Sequence, residues 1–269
     1  MDKARAIPVA LTIAGSDCSA GAGAQADLKT FTALGAYGLT AITCVVAETP
    51  GKVTRIQAVD PEVVEEQITL LLEAFPVGAI KTGMLFSEEI VGVVARLVRD
   101  RGIPVVVDPV MVATSGDLLL KREAIVVYER ELFPRAALIT PNLDEAATLL
   151  GRRIPDLAAM RIAGQELARR YGVPVLLKGG HLEGQHAIDL LCTARFVREF
   201  SAKFERGVHS HGTGCTYSAA ITAALALGAN LESAVERGKQ FVTAAIAQHF
   251  DWAGGSGRLH ALNHSAGQR

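Results

Sequence analysis

The sequence predicts an α/β fold, a single domain in which a mainly parallel central sheet is covered by helices on both faces. Three observations carry this. Short apolar runs rich in Val and Ile alternate with stretches of helical periodicity almost from end to end, the pattern of parallel strands joined by crossover helices. Hydrophobic residues make up 49% of the 269 positions and aromatic residues only 5%, so the core is aliphatic and Ala-rich, and the chain is long enough to bury it in one unit. No linker-like composition and no repeat of fixed period interrupts the alternation. This places one domain over 1–252 and a loosely held tail, containing Gly254-Gly255-Ser256-Gly257, over 253–269.

The elements follow in order. Ile7 to Ala14 reads as a strand, and its exit through Gly15-Ser16-Asp17 into a glycine-rich turn and a helix over Gly23 to Leu34 has the form of a first βα unit. That form argues against a secretory leader, although Lys3 and Arg5 precede the apolar run. Leu39 to Ala47 is a strand. Pro61 opens a helix to about Ala74, at a position where its missing N–H costs nothing. Ala79 to Met84 is a short buried strand. Ser87 caps a helix to about Asp100, with Glu88 and Glu89 at its positive end, and Val105 to Val110 returns to the sheet. Ala137 to Thr140 is a strand, Leu143 to Leu150 a helix closed by Gly151, and Asp156 to Tyr171 another helix. Pro174 to Lys178 is a strand, Ala187 to Thr193 and Glu199 to Phe204 form a hairpin, and helices over Thr216 to Leu227 and Leu231 to Phe250 complete the chain. A small flap is expected over Thr114 to Leu119.

Charge narrows the function classes. The 27 Lys and Arg against 28 Asp and Glu, with no long basic run, argue against a nucleic acid or a membrane surface as partner, and leave a small molecule as the ligand. The four cysteines show no C-x-x-C spacing, as expected of a reduced cytoplasmic protein, and no metal–thiolate site is legible. No stretch approaches the ~18 apolar residues of a membrane span.

In such sheets ligands collect beyond the carboxyl ends of the strands, and here those ends are unusually polar. They deliver Gly15-Ser16-Asp17, Glu48, Lys81-Thr82-Gly83-Met84, Asp108, Pro141-Asn142 with Glu145, and Lys178-Gly179-Gly180. Glycines, lysines and carboxylates in that succession fit phosphate chemistry with a divalent cation better than an apolar ligand. Ordinary strand-end turns use the same residue types, so the weight lies in their recurrence.

The segment HSHGTGCTYSAAITAALALG, from His209 to Gly228, is a glycine-punctuated turn feeding an Ala-rich helix. Gly212 and Gly214 permit backbone angles that aim successive N–H groups into one concavity at a helix N-terminus, which suits an anion. Thr213 and Cys215 share that turn, and the position is one that lowers a thiol pKa. An inert thiol in a tight turn is the alternative reading, and His209 or His211 acting on Cys215 is a weaker one.

Taken together, GSDCSAGAGAQADLKTFTALGAYG, IKTGML, VVVDPVM, LITPNLDEA, LLKGGHL and HGTGCTYSAA, in that order, resemble the hydroxymethylpyrimidine/phosphomethylpyrimidine kinases of thiamine biosynthesis, in the ribokinase-like superfamily. The resemblance runs from about Leu11 to Ala247. Pyridoxal kinases of the same branch share most of these segments.

The resemblance implies ATP and Mg²⁺ as cofactors, an aminopyrimidine alcohol and its phosphate as substrates, and a homodimer. It places Gly15 and Asp27 around the ring, with Met84 and Val110 as apolar flanks. It gives Asn142 and Glu145 to the nucleotide phosphates and to water-held Mg²⁺, adds Asp108 near the metal, and sets Lys178 against phosphate charge. It makes Cys215 the acceptor of the alcohol proton, where most of the superfamily has Asp, and Gly212 to Cys215 the anion hole. Asp27 has a bland alternative as a first-turn helix carboxylate, and Asn142 one as a helix cap.

One position departs from the family. Where members that use the pyrimidine mostly carry Gln after the second strand, this chain has Glu48, followed by Thr49 and Pro50. A carboxylate can only accept hydrogen bonds, so it matches an aminopyrimidine edge when a proton resides on the ring nitrogen or on the carboxyl itself. Pyridoxal kinase therefore stays open as the alternative activity, and a non-catalytic vitamin-precursor binding protein as the alternative of another class.

Overall fold

Strand β1 (Val9–Asp17) is buried at eight of its nine positions, and the chain winds outward from it in both directions. The computed structural model describes residues 7–111, 122–180, 185–205, 207–208, 211–254 and 257–266. After β1 come α1 (Gly23–Ala33), β2 (Tyr37–Thr49), β3 (Lys52–Ala58), α2 (Pro61–Ala74), β4 (Val77–Thr82), α3 (Glu88–Val98) and β5 (Val105–Val107). The second half holds α4 (Arg122–Val127), β6 (Leu138–Ile139), α5 (Leu143–Leu150), α6 (Leu157–Tyr171), β7 (Val175–Lys178), β8 (His186–Cys192) and β9 (Val197–Lys203). The chain closes with α7 (Thr213–Ala226), α8 (Leu231–Ala247), β10 (Phe250–Gly254) and β11 (Gly257–Ala261).

The main sheet has nine strands in the order β3-β2-β1-β4-β5-β6-β7-β8-β9. The six from β2 to β7 pair in parallel, and antiparallel hairpin strands extend both edges. β1 leads first to β2 on one side and later to β4 on the other, so the winding reverses beside β1 and opens a crevice at the strand ends there. Alternate residues of β1 serve opposite faces. Leu11 and Ile13 join a large aliphatic core with Ile68, Val91, Val94 and Leu167, while Ala10 packs with Phe31, Ala219 and Ala223. The small residues of α7 let it lie against β1, β4 and β5 between α1 and α8.

Several expectations needed correction. β3 was not foreseen: it is an edge strand exposed at most positions, so no apolar alternation marks it, and Gly51 at φ +82° makes the turn that forms it. β5 stops at Val107 rather than Val110, since Pro109 has no N–H for a ladder. The tail is not loosely held over its described part. β10 and β11 form an antiparallel hairpin, and Leu262, His264 and Ala266 beyond it are buried. The flap expected over 114–119 lies outside the described residues. Among the described residues, no helix is long and apolar enough to cross a membrane.

Candidate active site

A cavity of about 1050 Å³, part of it open to solvent, lies over the ends of β1, β2, β4 and β5 and under the first turn of α7. Eleven of the thirteen residues singled out in the sequence line it: Gly15, Glu48, Met84, Val110, Asp108, Asn142, Glu145, Lys178, Gly212, Gly214 and Cys215. Thr213 and Asp27 do not.

At one end the groups are buried and tightly paired. Asp108, at the exit of β5, accepts from Lys178 Nζ (2.9 Å) and Thr140 Oγ1 (3.1 Å) through Oδ1 and from Ser218 Oγ (2.9 Å) through Oδ2. Burial opposes its charge, but Lys178 and Lys81 hold it below the usual carboxylate range. Asn142 and Glu145 cap α5 reciprocally, Asn142 Oδ1 accepting from Glu145 N–H and Glu145 Oε2 from Asn142 N–H, each at 2.8 Å. Both the capping and the cavity-lining readings of Asn142 therefore hold. Burial, with Asp108 adding to it, pushes the Glu145 carboxyl up to about 8 against the pull of Lys178.

Two placements differ from expectation. Asp27 is wholly buried behind the cavity, its Oδ2 accepting from Thr12 Oγ1 (2.6 Å) and Lys81 Nζ (2.8 Å). Lys81, delivered by a strand end but given no role of its own by the sequence, lines the cavity in its place. Burial would discharge Lys81, but Asp27 keeps it cationic. Cys215 is the second case. Burial pushes its thiol up to about 11, outweighing the Lys81 charge and the Gly23 N–H that favour the thiolate. The helix N-terminus was expected to lower it, but Asp108 and Asp27 nearby act with burial in the opposite direction.

The other end carries Asp17, Glu48 and His211. Asp17 closes the first glycine-rich turn, accepting from Ser19 N–H through Oδ1 and from Gly21 N–H, Ala22 N–H and Ser19 Oγ through Oδ2. Its charge survives burial because these donors and His211 hold its carboxyl well below the usual range. His211 Nε2 lies 3.3 Å from Asp17 Oδ2 and 3.6 Å from Glu48 Oε2, at ion-pair distance without hydrogen-bond alignment. Burial disfavours the imidazolium, but the two carboxylates more than offset this and shift His211 toward its protonated form. Burial and Asp17 raise the Glu48 carboxyl, while His211 opposes. The three offer ligand atoms within 4.8 Å of one another, but Asp17 Oδ2 is already saturated by donors, so the grouping reads as an ion cluster. His211 faces this cluster rather than pairing with Cys215, and His209 lies outside the described residues. Cys18 Sγ bonds the Glu48 backbone at N (3.3 Å) and O (3.1 Å), pinning the strand that carries it.

Residues able to hold Mg²⁺ are present. The oxygens of Asp108 are committed to Lys178, Thr140 and Ser218, and Glu145 Oε2 to a backbone N–H, so both suit a cation that keeps its water shell.

Comparison with known proteins agrees with this arrangement. The sequence model of the phosphomethylpyrimidine kinase family matches residues 17–260. The hydroxymethylpyrimidine/phosphomethylpyrimidine kinase of Rhizobium meliloti is 44% identical over 255 residues, covering 94% of this chain and 96% of that protein. The thiamine biosynthesis bifunctional protein ThiED of Geobacter sulfurreducens is 45% identical over 88% of this chain, which spans 48% of that longer protein. The solved structure of Bacillus subtilis pyridoxal kinase with ADP superposes with a TM-score of 0.89 at 35% identity, covering 97% of this chain and 98% of that one. With a family match across most of its length, and with the glycine-rich turn, the paired lysines and the capped Asn-x-x-Glu gathered on one cavity, the chain belongs to the phosphomethylpyrimidine kinase family.

Proposed function

We propose that the chain is an ATP-dependent kinase that phosphorylates the hydroxymethyl group of 4-amino-5-hydroxymethyl-2-methylpyrimidine, and then the resulting monophosphate, in thiamine biosynthesis. The observation that carries the reading is the convergence of the Gly212 to Cys215 turn, Lys81, Lys178 and Asp108 on one buried end of the cavity. Phosphoryl transfer passes through a loose transition state, so positioned positive charge and N–H donors matter more than a strong base. In α7 the intrahelical bonds begin with Thr216 N–H to Gly212 O, which puts the Gly214 and Cys215 amides ahead of them at the cavity. Lys178, beside Gly214, offsets phosphate charge. Glu145 and Asp108 would hold Mg²⁺, which would supply charge neutralisation on the nucleotide phosphates.

The alcohol oxygen forms the new bond to the γ-phosphorus as the bond to the ADP oxygen breaks, and the alcohol proton passes to Cys215 in its thiolate form. Burial makes the neutral thiol the prevailing form, and Lys81 is the fixed charge that favours the thiolate this step requires.

At the other end Glu48, with Met84 and Val110 against the ring faces, reads the amino-pyrimidine edge as a carboxylate paired with a protonated ring nitrogen. A homodimer belongs to the same proposal. Val45 is exposed where β2 pairs with β3, at the edge of the sheet, the kind of surface that a second subunit covers. Pyridoxal phosphorylation is the second reading, favoured by the likeness to the Bacillus subtilis enzyme and by the absence of the usual Gln. ADP release measured with the aminopyrimidine alcohol and with pyridoxal, each with and without ATP and MgCl₂, tests this. Release that depends on the pyrimidine is expected. Release only with pyridoxal transfers the assignment, and no release with either leaves a binding protein.

A further inference from the structure

The chain continues past the matched region, which stops at residue 260, and its next residues reach back to the catalytic turn. After β11 the chain docks against the end of α8, Asn263 N–H donating to Ala245 O at 3.1 Å, and closes on itself through Ala266 N–H to Asn263 O at 3.0 Å. Leu262 and Ala266 are 2% and 4% exposed, so they anchor the segment by burial. Between them His264, itself 7% exposed, places Nε2 3.0 Å from Thr216 Oγ1. Thr216 is fully buried, is the residue after Cys215, and donates the first intrahelical bond of α7 to Gly212.

With the ring neutral and Nε2 unprotonated, Nε2 accepts the Thr216 hydroxyl proton. Burial, with Lys29 nearby, holds the imidazole neutral by pushing it down to about 4, so the acceptor persists at physiological pH. The first turn of α7 is thus held from two sides. Ser218 ties it to Asp108 on the cavity side, and His264 ties Thr216 on the far side.

We propose that the segment Leu262–Ala266 is a clamp on the phosphate-binding turn, with His264 as a positioning residue that acts through Thr216 on the placement of the Gly214 and Cys215 amides. A helix start that must meet transition-state charge loses rate for displacements too small to disturb ground-state binding. His264 touches neither substrate, so its loss should appear in kcat and leave KM largely alone.

The test compares His264→Ala, His264→Gln, Thr216→Val and the His264→Ala/Thr216→Val double variant in the full chain, at a temperature where each is folded by circular dichroism. His264→Ala and Thr216→Val are each expected to lower kcat about tenfold with KM for ATP and for the acceptor within about twofold. The double variant should lose no more than either single one, because both remove the same bond. His264→Gln, whose side-chain oxygen can reach the Nε2 position, should recover most of the rate. Unchanged kcat in His264→Ala, even with a lower Tm, would overturn the proposal, and so would losses that multiply in the double variant.

Discussion

The two glycine-rich turns of the chain lie back to back, and they are used in opposite ways. In the first, over Gly21 to Gly23, the N–H groups of Gly21 and Ala22 are consumed by the chain's own carboxylate, Asp17. In the second, Gly212 takes φ +82° with no side-chain cap, and the turn lines the cavity through Gly212, Gly214 and Cys215. The two touch so closely that a Cβ on Gly212 would strike the Gly21 carbonyl. A turn filled by its own anion is a fixed platform, and here it carries the Asp17–His211–Glu48 cluster at the ring end. A turn left open toward the cavity is suited to an incoming anion. The ion pairs of the two ends are separate, Asp17 and Glu48 with His211 at one and Asp108 with Lys178 at the other.

The sharpest contrast is in stability. Lys81→Met would leave the Asp27 carboxylate wholly buried without its cation, and a loss of about 3–5 kcal/mol in unfolding free energy is expected. His211→Gln, at a partly exposed pair, should cost no more than about 1 kcal/mol. Urea denaturation of the two variants checks this, and the double change Asp27→Asn/Lys81→Met should be milder than Lys81→Met alone. Equal losses at the two ends would break the comparison.

Next in size is the rate effect at the open turn. Cys215→Ala is expected to lower phosphoryl transfer by at least ~100-fold, about 2.7 kcal/mol, while substrate binding changes little. Steady-state kinetics with separate binding titrations distinguish the two quantities. Turnover like that of the unaltered chain would make Cys215 a structural thiol, the reading that its burial leaves available.

How far the sequence disclosed this site depends on the kind of feature. The parallel strands and their helices were legible because buried β-branched runs and capping residues such as Ser87, Asn142 and Gly151 are local signals. β3 was not, since an exposed edge strand lacks an apolar face to mark it. Strand ends, the α7 turn and the family resemblance together anticipated eleven residues that line the cavity, but they could not say which of Asp27 and Lys81 would face it. That depends on the packing of α1 against β1 and β4, which turns the aspartate inward to hold the lysine. The Cys215 thiol was misjudged for a related reason: the helix start is visible in a glycine pattern, whereas its depth and its carboxylate neighbours belong to tertiary structure. The segment after residue 261 follows Gly254-Gly255-Ser256-Gly257, and composition does not reveal that His264 and Asn263 find partners on α7 and α8.

The central claim is that the ring end recognises its substrate through a charged pair made by Glu48, and calorimetric binding of the aminopyrimidine alcohol across about pH 5.5 to 8.5 tests it most directly. The complex must retain one proton between ring and carboxyl. Affinity should therefore weaken as pH rises through the upper part of that range, by up to about tenfold per pH unit. Glu48→Gln supplies donor and acceptor without that proton and should bind with little pH dependence. Glu48→Ala should bind more weakly than the unaltered chain by about 1–3 kcal/mol near neutrality. Affinity that is independent of pH and untouched by Glu48→Ala, or tight pyridoxal binding with no measurable pyrimidine binding, would contradict the account at the ring end while leaving the kinase fold intact.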